Sequence, residues 1–234
     1  MAIKVSAALF RACSEFVSKE DTRYYLSGVC VQPHAEGGAV LVATDGPRML
    51  VAHDVDASCD KSRIVHLPKD AAATLAKVIK TNESAELTVD DDGIVSCSSY
   101  RSTDGCFIDG TFPDWPRALR PALDCAKARF YGKPVFAAAS MNGNYVGSFG
   151  KAANMLSPSS GGDAPIRLVT FTESDPALVL FPNHSNVFGV LMPMRAPVIG
   201  DAFPAFMKSV FDPPKQPQKR RPAEKQKPAK RKAA

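Results

Sequence analysis

Short apolar strands and amphipathic segments follow one another along the first 190 or so residues, and their order repeats. Ile3–Val5 reads as a strand and Ala7–Val17 as a helix, because Leu9, Phe10, Cys13 and Val17 recur at helical spacing while Arg11 and Glu15 fall on the other side. Arg23–Val31, Ala39–Thr44 and Met49–Asp54 follow as strands rich in Val, Leu and Tyr, with Asp45-Gly46 as a tight turn before the last. A second round begins with a strand at Arg63–Leu67. Pro68 then opens a helix over Lys69–Lys80, whose apolar face is Ala72, Leu75, Ala76 and Ile79. Strands are expected at Glu86–Val89, Ile94–Ser99 and Gly105–Ile108, with Asp92-Gly93 and Asp104-Gly105 as turns. A third round offers a strand at Val135–Ser140, a helix at Tyr145–Leu156 and strands at Ile166–Thr172, Leu178–Pro182 and Val187–Met192. One strand, one helix and three strands thus occur three times. Between the second and third rounds, Asp109–Tyr131 reads as a proline-punctuated connector containing Phe112-Pro113-Asp114-Trp115-Pro116, and it marks the expected domain boundary.

Composition narrows the classes of function. The chain has 234 residues and is 45% apolar, enough for an ordinary buried core. No run approaches the roughly 20 apolar residues of a membrane span, and Met1–Phe16 is too charged for a secretory leader, so a cytoplasmic protein with no membrane partner is expected. Cys13, Cys30, Cys59, Cys97, Cys106 and Cys125 form no CxxC pair, and His34, His53, His66 and His184 stand at no ligand spacing to them. Free thiols, no metal and no cofactor are therefore expected. Catalysis finds no motif: there is no P-loop, no nucleophile elbow and no paired-histidine zinc helix. Asp90-Asp91-Asp92, followed by Gly93, reads as a hairpin turn, and Asp54 and Asp56 flank a loop.

Charge is unevenly placed. Residues 212–234 hold nine Lys or Arg against two acids, net +7; the whole chain is +5, so residues 1–211 carry −2. This segment has five prolines and nothing apolar larger than Ala or Pro, a composition expected to stay disordered. Its function is either solubility or nonspecific phosphate binding. Just before it, residues 197–211 include Phe203, Phe206, Met207, Val210 and Phe211, an apolar linker expected to form a short helix packed on the body or on a partner.

Four stretches carry a family resemblance: Thr22-Arg23-Tyr24-Tyr25-Leu26-Ser27-Gly28, Val42-Ala43-Thr44-Asp45-Gly46-Pro47-Arg48-Met49, Asp109-Gly110-Thr111-Phe112-Pro113-Asp114-Trp115, and Val190-Leu191-Met192-Pro193-Met194-Arg195. In this order and spacing the chain resembles the bacterial DNA polymerase III β sliding clamp. Residues 1–115 resemble its middle domain and residues 116–196 a shortened form of its C-terminal domain. The resemblance implies an α+β DNA-clamp fold: repeated β-α-β-β-β units with helices on one face of a curved antiparallel sheet.

The resemblance also implies a function without catalysis. Such a clamp is a processivity factor that holds double-stranded DNA without reading its sequence and docks polymerase and clamp-loader peptides in a hydrophobic groove. Matched position by position, the groove comprises Leu26, Thr44, Gly46, Pro47, Arg48, Met49, Pro113, Ala118, Val190, Met192, Pro193, Met194 and Arg195. Pro47 stands where the family commonly has His, and Met49 where it has Leu. DNA contacts are expected from the helix-borne Arg11, Lys19, Lys69, Lys77, Lys80 and Lys151, and from Lys219, Arg220 and Arg221 in the tail. The chain continues for 39 residues past Arg195, so the Phe203–Phe211 segment is a candidate internal competitor for the groove. Three repeats per chain imply a homo-oligomer if a ring is to close. Two other functions remain open: a clamp mimic or regulatory adaptor that does not encircle DNA, and a DNA-binding protein acting through its basic tail.

Overall fold

Side-chain alternation along the strands sets the architecture, because it gives each strand one face for helices and one for something else. A computed structural model describes residues 2–98, 100–130 and 139–195, all within one compact unit. The first repeat is β1 (Ile3–Ser6), α1 (Ala7–Ser14), β2 (Val29–Pro33), β3 (Ala39–Thr44) and β4 (Arg48–Asp54). The second is β5 (Arg63–Val65), α2 (Lys69–Thr81), β6 (Glu86–Val89), β7 (Val95–Cys97), β8 (Tyr100–Arg101) and β9 (Phe107–Ile108). After α3 (Trp115–Phe130), the third supplies α4 (Gly143–Leu156), β10 (Arg167–Val169), β11 (Ala177–Leu180) and β12 (Val187–Leu191).

The strands form two antiparallel sheets, β1-β6-β7-β8 and β10-β11-β12-β4-β3-β2-β5-β9. The first two repeats exchange their opening strands. β1 pairs with β6 through Ile3↔Val89 and Val5↔Leu87, while β5 pairs with β2 through Val29↔Val65. The third repeat joins through β12, which lies on β4 in register from Val187↔Ala52 to Leu191↔Arg48.

One face of the large sheet sends Val29, Val31, Leu41, Ala43, Leu50, Ala52, Val179 and Leu191 into a core shared with α1, α2 and α4. The smaller sheet adds Ile3, Val5, Leu87 and Val89 to the same core. Phe10, Leu75 and Phe149 fill it from the three helices, each fully buried and each contributing about 1.5–3 kcal/mol. Ser6 caps α1 by accepting from the Leu9 N–H, and Asn142 caps α4 by accepting from the Asn144 N–H. The repeats are therefore those of an α+β clamp fold, with these helices on one face.

Several local expectations are corrected. Arg23–Leu26 is not strand: Asp21–Leu26 is a 3-10 helix, held by Arg23 N–H to Glu20 O and by Ser27 N–H and Oγ to Tyr24 O. Short-range hydrogen bonds overrode the β-propensity of the tyrosines. Residues 115–130 are not an irregular connector but a helix, which tolerates Pro116 in its first turn and loses one backbone bond at Pro121. α3 also lies on the sheet face opposite the other helices, where Leu119 joins Cys30, Val42, Met49, Leu178 and Val190, with Phe112 and Trp115 against them. Several strands are shorter than expected, Arg167–Val169 most of all. Of the strand expected at Val135–Ser140, residues 135–138 lie outside the described residues and 139–140 are not strand; the expected helix near Phe203–Phe211 also lies outside them.

Candidate functional site

The turn between β3 and β4 is built by its own side chains. Asp45 Oδ1 accepts from the Arg48 N–H at 3.2 Å, Thr44 Oγ1 accepts from the Gly46 N–H at 3.1 Å, and Thr44 Oγ1 donates to Arg48 O at 2.8 Å. Gly46 has φ of 103°, a left-handed conformation that a side chain would strain. Pairing of β12 on β4 then brings the chain end to this turn: the Met192 N–H donates to Pro47 O at 2.8 Å. Two of the stretches singled out in the sequence, Thr44–Met49 and Val190–Arg195, therefore meet.

The side chains divide by face. Met49 and Val190 are directly paired and buried on the α3 side, in one cluster with Leu119 and Trp115. Pro113 and Ala118 are exposed beside that cluster, next to Phe112 and Leu119. Met192 and Met194, 44% and 49% exposed, continue the apolar surface beyond β12, with Pro193 half-buried between them and Arg195 exposed. Gly46 and Pro47 are exposed at the rim. Thr44 is buried, its hydroxyl committed to the turn. Leu26 is buried in the 3-10 helix, its carbonyl accepting from the Ser18 N–H.

Arg48 faces the helix side. Its Nε donates to Asp45 Oδ2 at 2.8 Å, and its guanidinium lies 5.0 Å from the Phe16 ring centroid and 5.4 Å from that of Tyr145. It clasps the end of α1 to the start of α4. Sequence reasoning had not placed in the groove Arg23, whose guanidinium lies against Gly46, nor Trp115 and Leu119, which pack from α3 into one cluster with Met49 and Val190. The helical signal for the latter pair was their four-residue spacing, masked by the intervening Pro116.

On the helix face, Arg11, Lys80 and Lys151 line one recess between α1, α2 and α4, together with Ile79 and Met155. Arg11 Nε donates to Ala72 O at 3.4 Å, and Lys151 Nζ pairs with Glu15 at 2.6 Å. Lys69 and Lys77 are exposed on α2, and Lys19 is exposed after α1. Lys219, Arg220 and Arg221 lie outside the described residues.

Other polar clusters are structural. Asp90 Oδ1 accepts from the Asp92 and Ile94 N–H groups, so that carboxylate shapes the hairpin turn. Burial pushes the Cys13, Cys30 and Cys97 thiols up, away from the thiolate form that reacts or binds metal. No group of three or more potential metal ligands occurs among the described residues.

Residues 4–114 match the sequence family described as DNA polymerase III beta subunit, central domain. The segment belongs to that family. Beyond it, solved sliding clamps share the fold. The DnaN sliding clamp of Bartonella birtlesii, solved bound to griselimycin, aligns at a TM-score of 0.55 and 19% identity over 83% of this chain and 66% of that one. The β subunit of Thermotoga maritima gives 0.54 and 16%, over 84% and 66%. That of Borrelia burgdorferi, in complex with a natural product, gives 0.53 and 13%, over 84% and 65%. Identities this low carry the fold alone. This chain spans just under two thirds of the length of the first of these structures. No curated protein matches it by sequence.

Proposed function

We propose that this chain is a non-catalytic clamp-type processivity factor. Its α1–α2–α4 face holds duplex DNA without sequence preference, and its slot at the β4–β12 junction docks peptides of a polymerase or clamp loader. The observation that carries this reading is the junction itself. Thr44–Met49 and Val190–Met194 come from distant parts of the chain, yet one continuous sheet sets them side by side with exposed methionines. Methionine adapts to differing apolar partners, and an extended peptide with large apolar side chains suits such a slot. Domain assignments follow: residues 1–115 as the middle clamp domain and 116–196 as a shortened C-terminal one, in a cytoplasmic homo-oligomer. Among the described residues no helix is long and apolar enough to cross a membrane.

A second reading, a non-encircling adaptor of the replication machinery, is favoured by one observation: Arg11 and Lys151, on the face that would hold DNA, are already bonded within the chain to Ala72 O and Glu15. Retention on DNA separates the two. A clamp stays on closed circular DNA and slides off once the circle is cut. Equal retention on both forms removes the clamp reading, and binding of a clamp-binding peptide without DNA retention supports the adaptor.

A further inference from the structure

We propose that α3 is a displaceable cover over the inner half of the slot at the β4–β12 junction, so that a docking peptide competes with Leu119 of this chain for the same apolar site. The inference rests on the docking reading above and adds its regulation. Exposure changes abruptly along the junction. Met192 and Met194, at its outer end, are 44% and 49% exposed. Met49 and Val190, within the sheet, are only 8% and 5% exposed. The inner half is closed by α3: Leu119, 2% exposed, joins Met49 and Val190 in one apolar cluster, with Trp115 and Phe112 packed against it. A leucine of the chain itself thus fills the place that suits a large apolar side chain of an extended peptide.

α3 is attached more lightly than the helices of the opposite face. α2 buries Ala71, Leu75 and Ile79, and α4 buries Phe149, Ala152, Ala153 and Leu156. Among the described side chains of α3, Leu119 alone is buried, whereas Arg117, Ala118, Arg120, Leu123 and Asp124 are exposed. The helix is also weak in itself. Pro121 has no N–H to give to its backbone ladder. Its first turn is capped by a long bond, 3.4 Å from the Arg117 N–H to Asp114 Oδ1.

An element with few buried apolar contacts opens at a lower free energy than the core beside it. Opening of α3 uncovers Met49 and Val190 next to Met192 and Met194, and the two halves become one apolar track. The apparent affinity for a peptide is then its intrinsic affinity reduced by the fraction of molecules in which α3 is off the sheet. A permanent wall behaves in the opposite way. A peptide that packs on Leu119 binds less well once that side chain is removed, whereas a peptide that must displace Leu119 binds better.

The chain's single tryptophan is Trp115, on α3 itself, so its fluorescence reports on the cover. The test titrates a synthetic pentapeptide ending in Leu-Phe into the full chain. Binding is expected to shift Trp115 emission to the red as the indole leaves the cluster. Leu119→Ala should bind the peptide at least about fivefold more tightly, and Pro121→Ala, which returns a backbone bond to α3, more weakly. Without peptide, hydrogen exchange in α3 should be at least about tenfold faster than in α4. Thermal melting checks that both variants fold; if Leu119→Ala does not, Pro121→Ala and the exchange rates decide. Weaker or unchanged binding by a folded Leu119→Ala overturns the cover and leaves docking in place. So do α3 amides as protected as those of α4, or an emission that stays put or moves to the blue on binding. No peptide binding by wild type or by Leu119→Ala overturns the docking reading, and the cover with it.

Discussion

At the scale of single residues, two positions carry consequences that their chemistry alone would not suggest. Gly189 lies in β12 directly beneath α4: a Cβ there would sit 2.3 Å from Phe149 Cε1. Phe149 is fully buried and packed on Phe16 at 4.7 Å, so it has no room to yield. Gly189→Ala should cost about 1–3 kcal/mol by overpacking, read as a lower urea midpoint; an unchanged midpoint would mean that the ring moves freely. Arg48 is the second. A peptide-gripping arginine should be free to turn toward ligand, but this one is paired with Asp45 and held between two rings, with its side chain only 14% exposed. Arg48→Ala should therefore destabilise the fold by about 1–3 kcal/mol through the lost charged hydrogen bond and ring contacts. A folded variant of normal stability with lost peptide affinity would restore the gripping role.

Elements show where the sequence was legible and where it was not. β3 and β6 lie where alternation and turn residues put them, at Ala39–Thr44 and Glu86–Val89. α2 differs by a single residue at its end. Such elements answer to local rules. α3 did not, because its prolines argue against a helix, while Leu119 and Trp115, which recommend one, act only by covering the far face of the large sheet. The β4–β12 junction shared this fate. Thr44–Met49 was visible as a turn, but its meeting with Met192 depends on which strand pairs with β4, a tertiary choice. The seam between α4 and the turn before β12 offers a test at this scale. Ser157, at the end of α4, shares a 2.6 Å hydrogen bond with His184 Nε2. Burial holds the His184 imidazole below its ordinary 6.5, with Glu83 opposing. A histidine depressed in the fold stabilises it above the unfolded value. As pH falls below 6.5 the unfolded chain takes up the proton first and that stability is lost, until the folded imidazole titrates in turn. The difference in melting temperature between wild type and His184→Gln should therefore narrow from pH 7 to pH 5. A constant difference would show that the imidazole titrates alike in both states.

For the whole molecule, the distribution of charge bears on the proposed holding of DNA. Residues 1–211 carry −2, so the body offers no general attraction; the tail carries +7. Binding through the tail alone and holding by the helix face differ in their salt dependence. Each phosphate contact releases counterions and adds about 0.9 to the slope of log affinity against log salt. On the helix face, Arg11, Lys80 and Lys151 converge on one recess, although Arg11 is bonded to α2 and Lys151 to Glu15. Those bonds are weak enough to exchange for phosphate: the Lys151 side chain is 58% exposed, and a surface ion pair is worth only about 0–1 kcal/mol. In a chain ending at Arg195, which lacks the tail, Lys80→Ala with Lys151→Ala should therefore lower the slope by about two and shorten retention on circular DNA. If the truncated chain binds no DNA at all, the helix face is not the holding surface and affinity resides in the tail. If it binds with a slope that the double substitution leaves alone, the contacts lie elsewhere on the body. Only a fall in slope, together with release from linearised DNA, joins the cationic recess to topological holding.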